Sequence, residues 1–104
     1  MQITTDNQIY SDAGANERLE QKIRQRLRRF ERRLTHVELH VSDVKGNKGG
    51  NDKRVSLEVR ANGHPPLAVH ADGERIDDLV TVAADKALRA LDHALGRLAD
   101  ARGH

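Results

Sequence analysis

The stretch Thr35-His36-Val37-Glu38-Leu39-His40-Val41-Ser42 decides the fold, because Val37, Leu39 and Val41 point to one side of an extended chain and His36, Glu38, His40 and Ser42 to the other. A strand with a single apolar face must be covered on that face by another layer. Beyond the segment from Lys45 to Asp52, whose glycines and polar residues predict a flexible hairpin loop, the alternation returns: Val55, Leu57, Val59 and Ala61 oppose Arg54, Ser56, Glu58 and Arg60. Asn62-Gly63 marks a tight turn, and Pro65-Pro66 opens a further strand with Leu67, Val69 and Ala71 inward; prolines there suit a sheet edge. Near the start of the chain, Met1, Ile3 and Thr5 alternate with Gln2, Thr4 and Asp6 in the same way.

Between the first two strands, Leu19, Ile23, Leu27, Phe30 and Leu34 recur at steps of four, four, three and four. This predicts an amphipathic helix that begins near Ser11 and Asp12, or at Asn16, and runs to Leu34. From Asp72 onward Ile76, Val80, Ala83, Ala87, Leu91, Ala94 and Leu98 share a second helical face, with Gly103 as a stop. The order is β-α-β-β-β-α. It predicts an α+β two-layer sandwich: a four-stranded sheet with both helices on one face, the first two strands parallel and the rest an antiparallel meander. Residues 1–104 are expected to form one domain, since a chain of this size buries roughly two-thirds of its unfolded surface around one core.

The absence of cysteine excludes disulfides and thiolate metal sites. The first residues do not read as a signal peptide, and no stretch approaches the roughly 18 apolar residues of a membrane span, so a cytoplasmic protein without a membrane partner is expected. His36, His40 and His70 with Glu38 are too loosely spaced to predict a metal site, and the Gly46 to Gly50 loop lacks a phosphate-loop spacing. No nucleophile with a plausible base is present either. The expectation is a protein that is not an enzyme, with no cofactor and no small-molecule substrate.

Charge carries the functional reading. From Glu17 to Arg33 eight basic residues face three acidic ones, a surplus of five on a chain whose net charge is +2. On a helical wheel Arg18, Lys22, Arg26, Arg29 and Arg33 form a stripe about 100° round from the apolar face, and Arg28 and Arg32 extend it outward. Most charge runs are merely solvated surface. Like charges at successive helical neighbours repel by a few tenths of a kcal/mol per pair, however, so something external should offset them, and the stripe points to a polyanion. On the second helix Lys86, Arg89, His93 and Arg97 form a weaker stripe, diluted by Asp85 and Asp92. With only Tyr10 and Phe30 as aromatics, base stacking is disfavoured and recognition of RNA backbone and shape is expected.

The run Lys-Ile-Arg-Gln-Arg-Leu-Arg-Arg-Phe from Lys22 to Phe30, and Ala-Ala-Asp-Lys-Ala-Leu-Arg-Ala-Leu from Ala83 to Leu91, set in this element order, resemble the ribosome hibernation promoting factor family. That family includes the ribosome-associated inhibitor and was once described as sigma-54 modulation proteins. The resemblance implies a fold like that of a double-stranded-RNA-binding domain. It also implies docking of basic helices on small-subunit rRNA near the decoding region, where translation is inhibited under stress. Lys22, Arg26, Arg29 and Arg33 would match the basic positions of the first helix, and Lys86, Arg89 and His93 those of the second. The chain departs from the family at Asp92, Ala94, Ala99 and Asp100, and resembles a short form acting as a monomer. The alternative is a protein-interaction module whose basic helix meets an acidic protein.

Overall fold

The computed structural model describes residues 1–5, 13–45 and 51–96. Strand β1 (Gln2–Thr5) is followed by helix α1 (Ala13–Arg26), long strands β2 (Leu34–Lys45) and β3 (Asn51–Ala61), strand β4 (Leu67–Gly73) and helix α2 (Ile76–Leu91). The sheet order is β1-β2-β3-β4, with β1 parallel to β2 and the other neighbours antiparallel. Both the expected order and the expected strand directions are therefore present. The crossover through α1 is what permits a parallel first pair.

Register puts the predicted apolar faces together. Leu39 stands opposite Leu57, Val37 opposite Val59, and Leu57 opposite Val69. With Val55 and Ala71 these meet Leu19, Ile23 and Leu27 of α1 and Val80, Ala83, Ala87 and Leu91 of α2 in one buried cluster, which holds no buried polar or charged residue among the described residues. Gly73 ends β4 beneath α2, where a Cβ would come within 3.0 Å of Leu79 Cδ2, so a bare backbone lets the helix close down on the strand. Gly63, at φ 74°, makes the turn after β3 that the Asn-Gly pair predicted.

Three boundaries differ from the expectations. The first helix does not reach Leu34: it ends at Arg26, tightens into a 3₁₀ turn at Arg28–Phe30, and Leu34 becomes the first residue of β2, paired with Ala61. The tighter turn, closed by Phe30 N–H on Leu27 O at 2.9 Å and Arg33 N–H on Phe30 O at 2.8 Å, returns the chain to the sheet while keeping Phe30 and Leu34 buried. Steps of three and four do not distinguish this from a continuing helix. Asp72 lies in β4 and not in the second helix, while Lys45, Asn51 and Asp52 belong to the hairpin strands and not to the loop. After Leu91 a π-helical turn at Asp92–Gly96 keeps Leu95 in the core. The helix-starting residues Ser11 and Asp12, the loop at 46–50 and the chain beyond Gly96, with Arg97, Leu98 and Gly103, lie outside the described residues.

Candidate nucleic-acid interface

The basic stripe of α1 lies along α2. Arg18 Nη2 is 3.3 Å from Asp77 Oδ2, Arg26 Nη1 is 3.1 Å from Asp85 Oδ1, and Arg29 Nη2 is 3.0 Å from Asp92 Oδ1. Lys22 Nζ donates to Asp77 O at 3.5 Å. The partners climb in the same order on both elements, so the two helices run side by side in the same direction. Asp77, Asp85 and Asp92 are each about two helical turns apart and form one acidic edge of α2 facing α1. The repulsion within the stripe is thus offset inside the molecule and not, as expected from the sequence, by an external partner alone. Asp85 and Asp92, read from the sequence as dilution of a second basic stripe, are partners of the first.

Three cations of the α1 exit have no side-chain partner among the described residues: Arg28, Arg32 and Arg33 are exposed and unpaired. Arg33 is held by its backbone, whose carbonyl accepts from Asn62 N–H at 3.0 Å. Arg29 also lies 5.4 Å over the Phe30 ring, which steadies the guanidinium beside the turn. On α2, Arg89 and His93 are exposed and likewise unpaired, whereas Lys86 Nζ donates to His70 O at 2.8 Å on the β4 side. At about 100° per residue the acidic edge lies between α1 and the α2 side that bears Lys86, Arg89 and His93. The two basic rows therefore do not merge along their length. They approach at one end only: the Arg29–Asp92 pair joins the α1 exit, which carries Arg28, Arg32 and Arg33, to the α2 exit, which carries Arg89 and His93. Arg97 lies outside the described residues.

The opposite face of the sheet neutralises itself. There Arg54 donates to both oxygens of Asp72 at 2.8 and 3.0 Å and Arg60 Nη2 lies 2.9 Å from Glu58 Oε1, while on the helix side, next in the alternation after Val41 and Val55, Lys53 pairs with Asp43. His36 and His40 flank Glu38 at 3.4 Å each, and His36 also meets Thr4 Oγ1 at 3.1 Å. His70 is two strands from β2, across Ser56, which also faces His40. Among the described residues no group of three or more His, Asp or Glu side chains is placed to hold a metal ion.

The Asp72 carboxyl is held below the ordinary carboxylate range by its hydrogen bonds to Arg54, partly opposed by desolvation and aided by the charge of Arg54 and, more weakly, of His70 and Lys86. A folded-state pKa below the unfolded one stabilises the protein above the unfolded value of 3.8, and the gain disappears as pH falls through the lower folded value. Asp72→Asn is accordingly expected to lower the urea midpoint at pH 7. At pH 2 to 3 the two unfolding curves should converge, and a gap that persists there would refute the assignment.

Sequence reasoning placed the basic positions and missed their acidic counterparts. The signal was present in the two-turn spacing of Asp77, Asp85 and Asp92, but its meaning depends on which helix lies alongside. A family model described as sigma 54 modulation protein / S30EA ribosomal protein matches residues 8–102. No curated protein matches the chain by sequence. Among solved structures, the chain is similar to the Protein Y N-terminal domain of Thermus thermophilus, with a TM-score of 0.62 at 13% identity, over 88% of this chain and 93% of that one. At that identity the likeness speaks for the fold, the four-stranded sheet with two helices on one face.

Proposed function

Because the chain belongs to the sigma 54 modulation protein / S30EA ribosomal protein family, whose members are ribosome-binding hibernation factors and not enzymes, we propose that it silences translation by seating the exit ends of its two helices on rRNA of the small ribosomal subunit near the decoding region. The observation that carries this reading is that the exits of two parallel helices, joined by the Arg29–Asp92 pair, carry Arg28, Arg32, Arg33, Arg89 and His93, exposed and unpaired among the described residues. Guanidinium forks with unused donors suit phosphate oxygens, and Arg33, Arg89 and His93 belong to the face expected from the sequence. Arg18, Lys22, Arg26, Arg29 and Lys86 would border the contact, already bonded within the molecule. Residues 1–104 would act as a single domain and a monomer, in the cytoplasm where ribosomes are. Among the described residues no helix is long and apolar enough to cross a membrane.

Cosedimentation with purified small subunits tests this. Each phosphate contact adds about 0.7 to 0.9 to the slope of log K against log salt, so four arginine contacts give a slope of about −3. Binding without salt dependence, or none at all, refutes the reading. Capture of an acidic protein from nuclease-treated lysate, with subunit binding absent, would favour an interaction module instead.

A further inference from the structure

The acidic edge of α2 has a consequence for the same surface, and rests on the RNA-docking reading. We propose that Asp77, Asp85 and Asp92 are specificity-determining residues that occupy the α1 stripe as internal stand-ins for phosphate. Three observations carry this. The carboxylates are matched one to one with Arg18, Arg26 and Arg29, at 3.3, 3.1 and 3.0 Å. All six side chains are partly exposed, from 33% to 65%, so an arriving polyanion can reach the pairs. The same three carboxylates separate the α1 stripe from the exposed cations of α2.

Exposed pairs of this kind are individually weak, since water screens them and two long side chains must be ordered. A phosphate can therefore take the guanidinium. The lasting penalty lies elsewhere: the displaced carboxylate stays in place beside the incoming phosphate, and like charges at that range repel. A polyanion gains contacts along the stripe only where its phosphates are dense and fixed enough to outweigh three such repulsions. Loosely charged or flexible polyanions are left with the free cations at the helix exits. In this way the ladder lowers affinity for polyanions at large and limits full docking to a surface of rRNA-like phosphate density.

The test compares the protein with Asp85→Asn/Asp92→Asn, which frees Arg26 and Arg29 and leaves Asp77 in the first turn of α2. The probes are small ribosomal subunits and polyuridylate, each titrated at several salt concentrations, with the thermal melt of every variant recorded. The double variant is expected to bind polyuridylate several-fold more tightly, with a salt slope steeper by about 1.4 to 1.8, the share of two further phosphates, and to gain less on small subunits, whose dense phosphates already reach the stripe. If the double variant does not fold, Asp92→Asn alone is read, with an expected steepening of about 0.7 to 0.9. An unchanged affinity and slope for polyuridylate, or an equal gain on both probes, overturns the proposal. So does weaker binding, which would mean that the carboxylates hold the arginine forks in place for RNA. As a control, Glu38→Gln/Glu58→Gln removes equal charge from the far face of the sheet, and an equal steepening there overturns the proposal by making net charge the cause. If the unaltered protein binds polyuridylate but not subunits, the docking reading fails and the ladder is judged on polyuridylate alone.

Discussion

Replacing Arg28, Arg32 and Arg33 together by glutamate is expected to abolish cosedimentation with the small subunit while leaving the protein folded. The three side chains are exposed and unpaired among the described residues, so their reversal breaks no internal ion pair there. A charged hydrogen bond lost from a docked complex costs about 1.5 kcal/mol or more. Three of them weaken binding by on the order of a thousandfold before any repulsion from the new carboxylates is counted. The salt slope should flatten by about 2 to 2.7 at the same time. Near-normal sedimentation by the triple variant would remove the helix exits from the interface. Reversing Arg18, Arg26 and Arg29 is a poorer experiment, because glutamates there would face Asp77, Asp85 and Asp92 and push α1 from α2. Weaker binding could then come from damage to the fold.

The second large effect concerns the layer that holds the helices in place. Leu57→Ala is expected to lower the melting temperature by about 10 to 30 °C. Leu57 lies on an inner strand, is fully buried, and stands between Leu39 and Val69 in the sheet beneath the helices. Truncating a buried leucine costs about 2 to 5 kcal/mol, because the surrounding side chains only partly fill the void. Against a total of about 5 to 15 kcal/mol that is a large fraction, and a domain of about 100 residues shifts by about 4 to 8 °C per kcal/mol. Val82→Ala is the counterpart: Val82 is 44% exposed on α2, and its truncation should move the melt little. Melting followed by circular dichroism checks both. A small effect at Leu57 would mean that the sheet and helices do not share one core.

Much of this architecture is legible in the order of the residues. The alternations at residues 35–42 and 54–61 set the inward faces of β2 and β3, and Leu19, Ile23 and Leu27 set that of α1, as the buried cluster shows. The family likeness carried by Lys22–Phe30 and Ala83–Leu91 agrees with the family model that spans residues 8–102. Boundaries are less legible. Phe30 and Leu34 fit a helical wheel and also fit a 3₁₀ turn leading into a strand, because both keep apolar residues three or four apart.

For the interface the division is sharper. Which residues are basic, and that Arg18, Lys22 and Arg26 share one side of a helix, follows from a period that the sequence alone determines, since side-chain direction along a helix is a local property. Which of those charges are already matched does not follow from any period. It depends on α2 lying parallel to α1 with its acidic edge inward, a relation set by how both helices cover one apolar sheet. Only that tertiary arrangement turned Asp85 and Asp92 from a dilution of the positive charge into its partners, and left the arginines that are unpaired among the described residues at the joined exits of the two helices.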